Sequence, residues 1–233
     1  MTKAEVCAAI EKIGVVPAIR VSSAEEGRFA AEAVNRGGIP IVEITMTVSG
    51  ACALITELVH AHPKMIVGAG TVLTTDTAQM CVDSGARFLT APSFNPKLLE
   101  FAAKQNIAAI PGALTPTEVV AAWEAGSDFV KVFPCFLVGG ERYIRALKTA
   151  LPAIRLIAAG GVNQQTAAEF IVAGASAIGV GTELIPPEAI ERRQARRIQE
   201  LAQRFREFVH AGRARLEPLK KAASAPKPVG MET

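Results

Sequence analysis

The chain has 233 residues, half of them hydrophobic, with 25 basic against 22 acidic residues, 19 Gly, 14 Pro and 4 Cys. That is an ordinary globular composition with room for a sizeable core, and its length suits one α/β domain such as a barrel of roughly 250 residues. It offers no membrane span, because no uncharged stretch reaches the roughly 18 residues required, and no disulfide framework or zinc site, because Cys7, Cys52, Cys81 and Cys135 are scattered without CxxC or zinc-finger spacing.

Residues 2–13 read as a short amphipathic helix rather than a leader peptide. Eight β-branched runs follow, at 15–21, 40–45, 65–69, 87–90, 107–110, 129–133, 154–159 and 177–180, with amphipathic stretches between them. This is the pattern of βα units around a parallel sheet. Helix starts are marked by the capping boxes Ser23-x-x-Glu26 and Thr115-x-x-Glu118, and by Asn95-Pro96 and Thr115-Pro116, which put proline in the first turn. Helix stops are marked by glycine just before a strand at Gly37-Gly38, Gly85, Gly126 and Gly174. Eight such units predict a single α/β domain, a closed (β/α)8 TIM barrel over residues 1–190 including its N-terminal helix. A doubly wound open sheet is the alternative, but no GxGxxG follows the first strand.

Beyond Pro186-Pro187, residues 191–217 predict a basic amphipathic helix packed on the barrel, with Ile190, Ile198, Leu201, Ala202, Phe205, Phe208 and Val209 on one face. Residues 191–233 hold 11 Lys+Arg against 5 acids, whereas residues 1–190 hold 14 against 17. The basic face is either simply solvated or a surface for an anionic partner. Residues 218–233 predict a disordered tail.

In a barrel, function lies at the carboxyl ends of the strands. The residues falling there are Arg20, Glu43, Thr45, Thr47, Thr71, Pro92, Lys131, Gly160-Gly161 and the segment from Gly179 through Gly181 to Thr182. Lys131 is the most informative, since Phe129-Val130-Lys131-Val132-Phe133 puts an ammonium in an otherwise apolar strand. Burial is costly for such a group unless it is paired or neutral, and desolvation favours the free amine that Schiff-base chemistry needs. The alternative is a head group that snorkels to solvent. Glu43, in Ile41-Val42-Glu43-Ile44-Thr45, repeats the pattern with the opposite sign. It is either a general acid/base beside the lysine or a buried salt-bridge partner. The glycines after the seventh and eighth strands suit a phosphate held on backbone N–H groups, or are plain turns. His60, His62 and His210 form no metal-ligand pattern, and no Ser/His/Asp order is arguable.

Val42-Glu43-Ile44-Thr45, Val67-Gly68-Ala69-Gly70-Thr71-Val72-Leu73, Pro111-Gly112, Val130-Lys131-Val132-Phe133-Pro134 and Gly160-Gly161-Val162 together resemble the 2-keto-3-deoxy-6-phosphogluconate / 4-hydroxy-2-oxoglutarate aldolase family, in register over roughly residues 5–190. The resemblance implies a class I aldolase of Entner–Doudoroff-type carbohydrate metabolism. Such an enzyme splits a phosphorylated keto-sugar acid into pyruvate and glyceraldehyde 3-phosphate, or 4-hydroxy-2-oxoglutarate into pyruvate and glyoxylate. It implies Lys131 as the Schiff-base lysine and Glu43 as the acid/base. Arg20, Thr45, Thr47, Thr71, Pro92 and Phe133 would serve the carboxylate and pyruvyl pocket, and Gly160, Gly161, Gly181 and Thr182 the phosphate. It further implies a cytoplasmic homotrimer with no metal or other cofactor, no membrane association and no nucleic-acid partner.

One departure stands out: many members carry an arginine four residues after the catalytic glutamate, where this chain has Thr47. Arg20, at the end of the neighbouring first strand, is the expected replacement, as in the phosphogalactonate branch. Two other readings of the residues are a sugar-phosphate barrel without imine chemistry, of the epimerase or thiamine-phosphate-synthase kind, and a non-catalytic scaffold.

Overall fold

A computed structural model describes residues 1–224, with side chains through Leu216. Helix α1 (Lys3–Ile13) starts on a capping box between Thr2 and Glu5 and stops at Gly14 in the left-handed conformation. The βα units then follow: β1 (Val15–Ile19), α2 (Ala24–Arg36), β2 (Ile41–Thr45), α3 (Ala51–Ala61), β3 (Ile66–Gly70), α4 (Thr75–Asp83), β4 (Phe88–Thr90), α5 (Pro96–Lys104), β5 (Ala108–Ile110), β6 (Gly112–Ala113) and α6 (Pro116–Glu124). The rest are β7 (Val130–Val132), α7 (Glu141–Ala150), β8 (Leu156–Ala159), α8 (Ala167–Val172), β9 (Ala177–Val180), α9 (Pro187–Glu191) and α10 (Ala195–Ser224).

The neighbour order is β5-β4-β3-β2-β1-β9-β8-β7-β6 and every pairing is parallel. Strand β5 falls within the fifth run, and β6 continues the same strand beyond that run, past Pro111, which has no N–H to give the ladder. Its carbonyl still accepts from the Lys131 N–H at 2.8 Å. The sheet's two edges are therefore one strand, and the barrel closes as the eight-unit pattern requires. Strands β1 and β7 end earlier than the β-branched runs, at Ile19 and Val132. Ser23, Asn95 and Thr115 all cap their helices, and the box at Thr115 closes. At Ser23 only half of the expected box forms, because the Glu26 carboxylate accepts from the Ser22 N–H and hydroxyl instead of the Ser23 N–H.

Strands β2 and β3 are buried at every position, as a parallel sheet covered by helices on one side and filled by side chains on the other must be. Helix α1 covers the amino ends of the strands with Val6, Cys7 and Ile10. Lys3 pairs with Asp128 at 3.0 Å, and the other Asp128 oxygen accepts from the buried Ala109 N–H at 2.9 Å. Asp128→Ala leaves that N–H orphaned and is expected to lower stability by about 2 kcal/mol. An unchanged urea midpoint would contradict this.

Helix α10 packs between α8 and α2, burying Ile198, Leu201, Ala202, Phe205 and Val209. Many of its flanking arginines are tied into the fold: Arg193 to Glu25, Arg197 to Glu188 at 3.2 Å, Arg215 to Glu169, and Arg213 to the Lys12 carbonyl at 2.6 Å. Its backbone runs on through Ser224, into the stretch expected to be disordered from 218. Lys220, Lys221, Ala222 and Ala223 are strong helix formers and account for the extension. The remainder of that expected tail, 225–233, lies outside the described residues.

Candidate active site

Lys131 and Glu43 meet inside the barrel. Glu43 is carried by β2, opposite Ala18 of β1 and Gly68 of β3, and Lys131 by β7, opposite Gly112 of β6 and Ile157 of β8. The strands set both side chains into the barrel, and Lys131 Nζ lies 3.6 Å from Glu43 Oε2, with the side chains 14% and 4% exposed. The ammonium is also 5.6 Å from the Phe133 ring centroid. Neither charge is left alone in the apolar interior, which meets the condition for burying them. Glu43 Oε1 is buried without a hydrogen-bond partner. Room for the carboxylate comes from Gly70, since a Cβ there would overlap Glu43.

The pair opens into a cavity of about 560 Å³ at the carboxyl ends of the strands. Of the twelve expected site residues ten line it: Arg20, Glu43, Thr71, Pro92, Lys131, Phe133, Gly160, Gly161, Gly181 and Thr182. Arg20 lies exposed at the mouth and its Nη2 donates to Thr71 Oγ1 at 3.4 Å. Thr71 holds a φ of 59°, a conformation that a β-branched residue rarely adopts. Gly160 and Gly161 both have φ 82°, and a side chain at Gly161 would overlap Phe136. The Asn163 side chain accepts from the Gln165 and Thr166 N–H groups at 3.0 Å each, which fixes the loop that follows.

Thr45 and Thr47 correct the expectation, for they do not line the cavity. The Thr45 hydroxyl is buried on the end of β1, donating to the Ile19 carbonyl at 3.0 Å, and lies 2.7 Å from the Thr47 hydroxyl. Its job there is to join two strands past the last paired residue. The cavity also includes Asn163 and Glu183, which the sequence reading left out. Asn163 was within reach of that reading as the residue that closes Gly160-Gly161-Val162-Asn163, whereas nothing in the sequence marks a carboxylate next to Thr182.

Cys135 lies close by but is a poor rival nucleophile. Burial, followed by the negative charge of Glu141, pushes its thiol up to about 12, so it stays protonated at neutral pH. Among the described residues no three His, Cys, Asp or Glu side chains gather as metal ligands, and no helix is long and apolar enough to cross a membrane.

A family model described as KDPG and KHG aldolase matches residues 6–201. The chain belongs to the KDPG and KHG aldolase family. Its relatives include the 2-dehydro-3-deoxy-phosphogluconate aldolase of Treponema pallidum, 29% identical over 86% of this chain and 96% of that one. The 2-dehydro-3-deoxy-6-phosphogalactonate aldolase of Escherichia coli is 30% identical over 85% of this chain and 97% of that one. Among solved structures, the KDPG aldolase of Legionella pneumophila, with pyruvate captured as a covalent carbinolamine, superimposes with a TM-score of 0.79 at 29% identity, covering 84% of this chain and 96% of that chain. Aldolases of this family are carbon–carbon lyases, so the imine-free barrel and the idle scaffold are not the favoured readings.

Proposed function

We propose that this aldolase works by a Schiff base on Lys131, with Glu43 moving the protons, on 2-keto-3-deoxy-6-phosphogluconate or its C4 epimer. The observation that carries the reading is the 3.6 Å approach of the two side chains within one cavity. It is supported by the carbinolamine captured in the Legionella relative.

In this reading Glu43 accepts the proton that Lys131 must lose, and the free amine attacks the C2 ketone. Glu43 then returns a proton to the carbinolamine oxygen, which leaves as water and yields the protonated imine. Glu43, directly or through water, next takes the C4 hydroxyl proton. The C3–C4 electron pair moves into the imine, giving an enamine and releasing glyceraldehyde 3-phosphate. Protonation of the enamine at C3 and hydrolysis of the imine release pyruvate and restore Lys131. With 4-hydroxy-2-oxoglutarate the same steps would release glyoxylate. Thr71, Pro92 and Phe133 would border the pyruvyl group, and Gly160, Gly161, Gly181 and Thr182 would hold the phosphate. Binding the remote phosphate helps align the scissile bond.

Arg20 takes the substrate carboxylate, in place of the arginine absent at Thr47. A charge-assisted pair of this kind is worth about 1.5–3 kcal/mol, so Arg20→Ala is expected to raise KM roughly 10–100-fold. An unchanged KM would sink the assignment.

The enzyme is further proposed to be a cytoplasmic homotrimer that needs no metal or other cofactor, with residues 1–190 as the aldolase barrel and 191–217 as its packing helix. Neither a membrane nor a nucleic acid is a partner in this proposal. The direct test is pyruvate release, coupled to lactate dehydrogenase, from the gluconate-type substrate, the galactonate-type epimer and 4-hydroxy-2-oxoglutarate. Release from one or both phosphorylated acids is expected. No release from any of the three would overturn the reading.

A further inference from the structure

Four charged side chains line the cavity, and three of them have work in the proposed reaction: Lys131, its partner Glu43 at 3.6 Å, and Arg20 at the mouth. The fourth, Glu183, has none. It directly follows Thr182, in the loop assigned to the phosphate, and lines the same cavity. A tight turn pins it there. The Leu184 and Ile185 N–H groups both donate to the Gly181 carbonyl at 3.0 Å, and both of those side chains are buried while Glu183 stays exposed. Glu183 also borders a second cavity of about 320 Å³, where Arg197 is already paired with Glu188 at 3.2 Å. Among the described residues the Glu183 side chain has no ion-pair or hydrogen-bond partner. Beyond Arg20 and Lys131, no described lysine or arginine lines the catalytic cavity. The end assigned to the phosphate therefore offers N–H groups and the Thr182 hydroxyl, with a carboxylate beside them in place of a cation.

We propose that Glu183 is a specificity-determining residue that weakens the binding of the phosphorylated acids and so narrows their advantage over 4-hydroxy-2-oxoglutarate. The inference rests on the assignment of the phosphate to Gly160, Gly161, Gly181 and Thr182. At about 6 Å in water a carboxylate lowers the affinity of a phosphate dianion roughly tenfold. The short acid ends at C5 in a single negative charge, before the chain reaches the phosphate position, and feels less of that repulsion. Placing a like charge against one ligand is a recognised way to set a preference between two. Glu183 acts on the far end of the substrate and not on the imine, so its effect falls on KM rather than on kcat.

The experiment measures pyruvate release by the full-length enzyme and by Glu183→Gln from the two phosphorylated acids and from 4-hydroxy-2-oxoglutarate. Each is run at about 0.01 M and about 1 M sodium chloride, where the screening length is roughly 30 Å and 3 Å. The amide keeps the size of the side chain and removes its charge. In low salt the KM for a phosphorylated acid is expected to fall roughly 5–10-fold in the variant, with kcat within about twofold. High salt closes most of that gap, and the KM for the short acid moves less. A gain in affinity of this kind cannot come from a misfolded variant. The role is overturned if the low-salt KM for the phosphorylated acids is equal or higher in Glu183→Gln. It is also overturned if the fall is independent of salt and the same for the short acid, which would make it a matter of shape. Pyruvate from both proteins at equal KM removes this role alone, whereas no pyruvate from either removes the aldolase reading and this role with it.

Discussion

Lys131→Met is expected to lower kcat/KM for pyruvate release by at least about three orders of magnitude, because no other amine takes its place as nucleophile. Arg20, the other cation lining the cavity, carries a guanidinium rather than an amine. The substitution also carries a structural penalty that must be separated from the chemical one. Methionine has a similar volume, but it leaves the Glu43 carboxylate, 4% exposed, without its cation. Breaking such a buried pair typically costs about 3–5 kcal/mol. Replacing both partners, Lys131→Met with Glu43→Leu, is expected to recover most of the lost stability while leaving the enzyme inactive. Urea denaturation beside the pyruvate assay checks both halves. Full activity in a folded Lys131→Met protein would remove the imine from the mechanism.

Glu43→Gln is expected to lower kcat roughly 10²–10⁴-fold with a smaller change in KM. The amide keeps the shape of the side chain but can neither take the lysine's proton nor give one to the departing water. Imine formation with pyruvate is slowed in this variant, yet not abolished, since Lys131 is still present. Steady-state kinetics of the variant provide the measurement. A kcat close to that of the unaltered enzyme would reduce Glu43 to a structural counter-ion, which is the other role its burial permits.

Much of this site was legible in the sequence for one physical reason. An apolar, alternating strand has no use for a charge unless something pairs with it, and two such strands with opposite charges point to each other. The 3.6 Å approach of Lys131 to Glu43 realises that inference. Glycine at strand ends was similarly readable, because a positive φ at Gly160 and Gly161 is a backbone demand that few residues meet.

The misreadings concern contacts set by register rather than by local pattern. Thr45 shares a face of β2 with Glu43, but its hydroxyl finds the Ile19 carbonyl at the end of β1, and only the strand pairing shows that this acceptor is within reach. The fifth strand likewise carries on past the expected end at Ile110, because Gly112 and Ala113, beyond Pro111, pair with β7 while Ala108–Ile110 pair with β4. Asn163 and Glu183 sit in loops, where no hydrophobic period marks a residue for the cavity or against it.

The measurement that tests the central claim most directly is borohydride reduction of the enzyme in saturating pyruvate, followed by peptide mass mapping. Reduction makes the reversible imine permanent and so records which amine formed it. The account predicts one pyruvyl adduct, on Lys131, and none in Lys131→Met. An adduct on a different lysine, or no adduct on folded, active protein, would contradict it.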